Sequence, residues 1–246
     1  MTINIHCINL DQRKDRWDFI TEQFLSVPEI NLIRFSAVEH KYGWVGCGLS
    51  HANIIDNYID NNEYLIVIED DCVIKCIDNF YSRLIEIINW LQLNENSWEI
   101  FNGNPSFVLN NSNCILLNND LQIVKYGEGG MANFIIYNTS NLNTKRKLSE
   151  YKLKLNSYID DMNRNAVKEV SRKHKQSKNR CMPIIDKYLN RNFICVTSVP
   201  FLTAQLASVS NIENKYVNYD KKLESSERIL NEFITNCQSK NRDEPT

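Results

Sequence analysis

The sequence predicts an α/β fold built on a mixed, mostly parallel sheet with helices on both faces. Strand-like and helix-like apolar patterns alternate over roughly the first hundred residues, and parallel strands need crossover connections of that kind. Tyr64 to Ile68 is a continuous apolar run, as expected of a strand covered on both sides. A chain of 246 residues with 43 % apolar content can also bury one sizeable core.

Ile3 to Leu10 alternates in strand fashion, and the polar DQRKDRW after it leads into a helix with Trp17, Ile20 and Phe24 at helical spacing. Ile30 to Phe35 reads as a second strand. GWVGCGLSH holds three of the seven glycines, ahead of a helix expected to begin near Ser50; glycine there permits close backbone approach or positive φ. After the Tyr64 strand comes a helix with Phe80, Leu84, Ile87, Ile88 and Leu91 on one stripe. Trp98 to Phe101, Cys114 to Leu117, Leu121 to Tyr126 and Asn133 to Tyr137 are short strand-like runs broken by Asn, Gly and Pro.

Leu148, Tyr151, Leu155, Tyr158, Ile159, Met162, Ala166 and Val170 follow three-and-four spacing, which predicts a long amphipathic helix with a basic outer face. Ser171 to Arg180 is nearly all polar, and PIIDKYL (helix) and FICVTSV and FLTAQLA (strands) follow. One domain is expected over residues 1–219, with 141–182 as a basic helical insertion. Residues 220–246 are expected to form a charged tail in which Ile229, Leu230 and Phe233 support a short helix before a disordered end.

Charge narrows the function classes. The net charge is −2, yet Asn141 to Arg180 carries twelve Lys or Arg against four Asp or Glu, so the remainder is acidic. A nucleic-acid binder is more often basic throughout, and the polar stretch lacks interleaved aromatics, which argues against nucleic acid. A peripheral contact with an anionic membrane, an anionic acceptor and a plain solvated helix remain open for the basic segment. No apolar run approaches the roughly 20 residues of a membrane span, so a cytoplasmic protein without signal peptide is expected. The eight cysteines are scattered, which reads as reduced core residues; Cys72 and Cys76 alone make at most half a zinc site. Asparagine and isoleucine are heavily used, a bias that says nothing of chemistry.

Two features do speak of chemistry. The Tyr64 strand stops at Glu69, Asp70 and Asp71, and packed like charges need a cation or donors to compensate them. Strand alternation would point Glu69 and Asp71 to one side and Asp70 to the other. Such a cluster falls where open α/β sheets place ligands, and Mn²⁺ or Mg²⁺ held with a diphosphate would account for it. Solvated loop acids or helix caps are the competing account. Arg13, Lys14 and Arg16 occupy the first strand-to-helix loop, where cations meet a phosphate, although a solvated helix start has the same composition.

INLDQRKDRW, RFSAV, GCGLSH, LIVIEDD, PIID and VPFLTAQLASVSNI, in this order from about Ile8 to Ile212, resemble glycosyltransferase family 25. That family includes bacterial lipopolysaccharide-biosynthesis transferases, collagen galactosyltransferases and relatives encoded by large DNA viruses. The resemblance implies a GT-A-like, Rossmann-type fold with a DxD-like motif on Glu69, Asp70 and Asp71. By it, Asp71 would coordinate Mn²⁺ (or Mg²⁺), and Glu69 or Asp70 would contact the donor's ribose or sugar. Asn9, Leu10, Arg13 and Arg16 would lie against the nucleotide, with Ser50 and His51 bordering the donor pocket; His51 as a buried brace of its helix is the alternative.

The resemblance further implies a catalytic base on the acceptor side at Asp186, with Asp160 and Asp161 as alternatives. The implied reaction is inverting transfer of a hexose from a nucleotide-sugar donor, UDP-linked, to a hydroxyl of a glycan, lipid-linked saccharide or protein. Two departures stand out. The stretch from Tyr137 to Pro183 is longer than the family's connection, and no histidine follows His174, where many GT-A enzymes complete the metal site. A GT-A-like domain kept for binding or assembly is the rival reading.

Overall fold

Two crossover units open the chain. β1 (Ile3–Asn9) leads through α1 (Lys14–Phe24) to β2 (Ile30–Ser36), which returns through α2 (Gly43–Tyr58) to β3 (Tyr64–Glu69). Short β4 (Cys72–Ile74) and α3 (Ile77–Leu93) follow, then β5 (Ile100–Asn102), β6 (Val108–Leu109), β7 (Asn113–Asn118), β8 (Leu121–Tyr126), β9 (Glu128–Gly129) and β10 (Phe134–Asn138). The long α4 (Leu142–Glu169) precedes α5 (Ile185–Asn192), β11 (Cys195–Val199), β12 (Thr203–Gln205), β13 (Ser208–Ser210), β14 (Lys215–Val217) and α6 (Asp220–Lys240). This computed structural model describes residues 2–60, 63–109, 111, 113–118, 120–169, 182–210 and 215–240. The polar stretch Ser171 to Arg180 and the chain end 241–246 lie outside the described residues.

The main sheet has eight strands in the order β2-β1-β3-β10-β5-β11-β8-β7. Six run in one direction, and β10 and β8 run against them, so only three of the seven pairings are parallel. The sheet is α/β and mixed, as expected, but its pairings are not mostly parallel. The helical crossovers enforce parallel pairing for β1, β2 and β3, whereas the tight β7–β8 connection can only make an antiparallel hairpin.

Both faces are covered. On one, Ile20 and Phe24 of α1 and Phe80, Leu84 and Ile87 of α3 pack on Ile3, Ile5, Ile66, Ile68, Phe134 and Ile136. On the other, α2, α4, α5 and α6 pack on Leu65, Val67, Ile135, Tyr137 and Val124. The alternation within β3 and β10 splits their side chains between the two layers, which is why both strands read as continuous apolar runs. Among the described residues no helix is long and apolar enough to cross a membrane.

Two elements differ from expectation, and a third matches its predicted stripe. α2 begins at Gly43, several residues before Ser50, and none of the described glycines has positive φ. Its glycines serve close packing: a Cβ at Gly46 would meet the Val38 carbonyl, and one at Gly48 the Tyr151 hydroxyl. α4 carries the apolar stripe its spacing predicts, with Leu148, Tyr151 and Leu155 buried in the core. Asn141 caps it, its Oδ1 accepting from the amides of Asn143 (2.9 Å) and Thr144 (3.2 Å). The charged tail is instead the 21-residue α6, which buries Leu223, Ser226, Leu230 and Ile234 and is held by Glu227 to Lys75 and the Phe201 amide.

The basic face of α4 is largely matched by acids. Lys145 pairs with Asp60 (2.8 Å), Lys147 with buried Glu99 (2.6 Å), Lys152 with Asp56, Arg146 with Glu150 (2.5 Å) and Arg164 with Asp161 (3.1 Å). Lys154 sits 5.1 Å from the Tyr188 ring. Over these residues much of the helix's positive charge is thus balanced within the fold.

Candidate active site

β1 leaves toward one edge and β3 returns on its other side, so the carboxyl ends of these two strands form a topological switch point, where α/β sheets hold ligands. Asn9 ends β1 and Glu69 ends β3 there. Antiparallel β10 brings Asn133 to the same rim, its carbonyl accepting from the Glu69 amide (2.9 Å). β5 adds Asn102 and Asn104, and β12, paired with β4, brings Gln205 opposite Cys72.

At the centre is one hydrogen-bonded unit. Asn9 Nδ2 donates to Asp70 Oδ2 (2.7 Å) and to the Arg13 carbonyl (3.0 Å), while its Oδ1 accepts from Arg34 Nε (2.9 Å). Arg16 Nη1 donates to Asp70 Oδ1 (2.9 Å) and lies 3.4 Å from Asp71 Oδ2. Gln205 Nε2 donates to the same Asp71 oxygen (3.0 Å), and the Leu206 amide donates to the Asp71 carbonyl (2.7 Å). Asp70 and Asp71 are both more than nine-tenths buried, as is Arg16.

Strand alternation does not hold across this acidic run. β3 ends at Glu69 and the chain turns at 70 and 71, so Asp71 joins Asp70 on the α1 side while Glu69 faces α2. Cys47 Sγ donates to Glu69 Oε1 (3.2 Å), and His51 Nε2 stands 3.8 Å from that oxygen, too far for a hydrogen bond. His51 is fully buried, with its Nδ1 2.9 Å from the Tyr137 hydroxyl.

The carboxylates separate electrostatically. Burial pushes the Asp71 carboxyl up to about 7, the charge of Glu69 adding to the effect against the pull of Arg16. Burial also raises Glu69, but His51, Cys47 and Arg16 outweigh it and hold that carboxyl below its usual range. Asp70 is raised by burial despite Arg16 and Asn9. Glu69 therefore keeps the charge, and Asp71 is the group left to take the proton.

The other expected site residues occupy varied places. Leu10 closes the loop, its carbonyl accepting from the Arg13 amide (2.9 Å). Arg13 engages Asp15 through two nitrogens (2.9 and 2.8 Å). Ser50 is enclosed, its hydroxyl accepting from the Val38 amide (2.8 Å) and donating to the Gly46 carbonyl (2.7 Å), so it braces α2 instead of facing a pocket. Asp186, in the first turn of α5, accepts from the Lys187 amide (2.7 Å). Burial raises its carboxyl, the Lys187 amide opposes this, and the nearby charge of Glu69 raises it further. Asp160 is exposed and Asp161 pairs with Arg164, both on α4.

Several rim atoms are buried without a hydrogen-bond partner: Asp71 Oδ1, both side-chain heteroatoms of Asn104, Asn133 Oδ1 and His51 Nε2. Orphaned buried polar atoms are uncommon and mark places where a polar ligand, ion or water completes the structure. The loop before β10 is pinned, with Met131 in the left-handed region (φ 69°) and its carbonyl accepting from Asn102 Nδ2 (2.9 Å). Cys47, Gln205, Asn102, Asn104 and Asn133 are rim residues the sequence reading did not single out. The asparagines of NGNPS directly after a strand were the available signal, submerged in an asparagine-rich chain. No protein-family model and no curated protein matches the chain.

Proposed function

We propose that this protein is a GT-A-like glycosyltransferase that moves a hexose from a nucleoside diphosphate sugar, UDP-linked, to an acceptor hydroxyl. The observation that carries the reading is the buried carboxylate pair Asp70 and Asp71 at the β1–β3 switch point, with Asp71 Oδ1 left unsatisfied beside them. One guanidinium serves both carboxylates, with Glu69 close enough to raise Asp71, so the rim holds more buried negative charge than Arg16 offsets.

The residues present fit a hard divalent ion, Mn²⁺ or Mg²⁺, which Asp71 would hold through an oxygen ligand. Bound there, such an ion supplies positive charge that stabilises the departing diphosphate. The protein's own groups do the rest. Asn9 and Arg16 fix Asp70 and Asp71, Glu69 stays ionised toward the donor sugar, and the asparagine rim offers donors and acceptors to its hydroxyls. Asp186, its carboxyl raised by burial, takes the proton of the acceptor hydroxyl as its oxygen attacks the anomeric carbon and the nucleoside diphosphate leaves.

Arg16 favours a second reading. As a buried cation already seated between the two aspartates, it can stand in for a metal in a domain that binds without turning over. Donor hydrolysis separates the two. With UDP-sugars and Mn²⁺, the transferase reading expects slow release of UDP that falls at least ~100-fold in Asp71→Ala, as for loss of a principal electrostatic group. Full activity in that variant, or no hydrolysis of any UDP-sugar by the native chain, contradicts it.

A further inference from the structure

The α2 side of the rim carries two side chains that the proposed transfer does not use, Cys47 and His51, beside Glu69, which it does. Cys47 and His51 are four residues apart on α2 and so lie on one face of the helix, toward Glu69 at the end of β3. Cys47 Sγ is 3.2 Å and His51 Nε2 3.8 Å from the same oxygen, Glu69 Oε1, and the three donor atoms all lie within 4.8 Å of one another. Ligands bonded to tetrahedral zinc at ~2.0–2.3 Å stand roughly 3.3–3.8 Å apart, so small side-chain adjustments bring these three into range.

The histidine points the same way. It is fully buried, Tyr137 engages its Nδ1, and its Nε2 makes no hydrogen bond. A metal-binding histidine is typically held in this manner, one nitrogen oriented by a neighbouring oxygen and the other presented as a ligand. Cys47 and Glu69 are each partly exposed, which leaves an approach from solvent.

We propose that Cys47, His51 and Glu69 form a three-ligand site for a borderline transition-metal ion, zinc above all, with a fourth position open to water. A thiolate, an imidazole and a carboxylate are the donor set of zinc, not of the hard ions suited to Asp71. On binding, Zn²⁺ takes the place of the Cys47 thiol proton, which passes to solvent, and bonds form to Sγ, Nε2 and Oε1 without any change of oxidation state. The ion ties α2 to the end of β3. This site does not depend on the sugar-nucleotide reading.

Cobalt provides the test. The full chain, stripped with a chelator, is titrated with Co²⁺ and then with Zn²⁺. One equivalent of Co²⁺ is expected to give a thiolate charge-transfer band in the near ultraviolet and tetrahedral bands in the visible, bleached by one equivalent of Zn²⁺ but not by excess Mn²⁺. Cys47→Ser is expected to lose the charge-transfer band and to weaken Zn²⁺ binding beyond the ~10–100-fold of an outer-sphere change, while exposed Cys76→Ser keeps both. Should Cys47→Ser fail to fold, His51→Gln serves instead, with altered visible bands and weaker Zn²⁺ binding expected. Absence of the band in the native chain, its survival in Cys47→Ser, displacement of Co²⁺ by Mn²⁺, or unchanged spectrum and affinity in a folded His51→Gln overturns the proposal.

Discussion

Asp70 and Asp71 share Arg16, whereas Glu69 faces Cys47 and His51, and these surroundings divide their protons. Asp71 titrates at about 7 in the fold against 3.8 for an ordinary aspartate, so between those values the folded chain binds more protons than the unfolded one. Its contribution to stability therefore falls as pH rises through that window. Glu69 is shifted downward from 4.5, so its contribution changes only below that pH. Without divalent ions, Asp71→Asn should gain on the native chain by several degrees in Tm between pH 5 and pH 8, each kcal/mol moving Tm by about 2–4 °C at this size. A difference independent of pH, read by thermal melts in chelator, would mean that Asp71 titrates like a solvent-exposed carboxylate.

The acidic run and Arg16 were legible in the sequence because they sit at the end of a strong strand pattern and the start of a helical one, whereas Asn9 came only from the family resemblance. The orientation of Asp71 was not, since alternation holds only while the chain stays extended and it turns at 70 and 71. Cys47 looked apolar from its neighbours Gly46 and Gly48; the partner that gives it meaning, Glu69, is distant in sequence.

At the scale of elements, α2 is where local signals mislead. Glycine lowers helix propensity by about 1 kcal/mol relative to alanine, so the three glycines read as a loop and the sequence predicts a later start for the helix. Packing overrides propensity here, because the Val38 carbonyl lies where a Gly46 side chain would go and Ser50 fastens the same loop. Gly46→Ala should therefore destabilise by ~1–3 kcal/mol, as overpacking does, instead of stabilising as helix propensity alone requires. Chemical denaturation reads the sign directly.

The end of the chain gives a matching case. Leu223, Leu230 and Ile234 form the buried face of α6, but among so many charged neighbours the sequence predicts only a short helix on Ile229, Leu230 and Phe233. Leu230 is completely buried, and Leu230→Ala should cost ~2–5 kcal/mol. A loss within ±0.5 kcal/mol, the range of surface substitutions, would show that α6 is a dispensable appendage.

Across the whole molecule, the alternation of strands and helices made the α/β class and the first three parallel strands readable. The reversals at β10 and β8 were not, because the apolar pattern of a strand is the same in either direction. Those reversals matter: antiparallel β10 delivers Asn133 to the rim where β1, β3 and β5 end, and the β4–β12 pair delivers Gln205 to Asp71. Residues from sequence-distant elements thus converge on one edge of the sheet, with buried polar atoms left over.

In the proposed function this edge clamps a divalent cation against a nucleoside diphosphate. Calorimetric titration of UDP with and without Mn²⁺, on the native chain and on Asp71→Asn, tests it most directly. The account predicts that Mn²⁺ tightens UDP binding at least ~10-fold in the native chain, a coupling of about 1.4 kcal/mol, and that the enhancement vanishes in the variant. UDP affinity unchanged by Mn²⁺, or equal enhancement in Asp71→Asn, would contradict it.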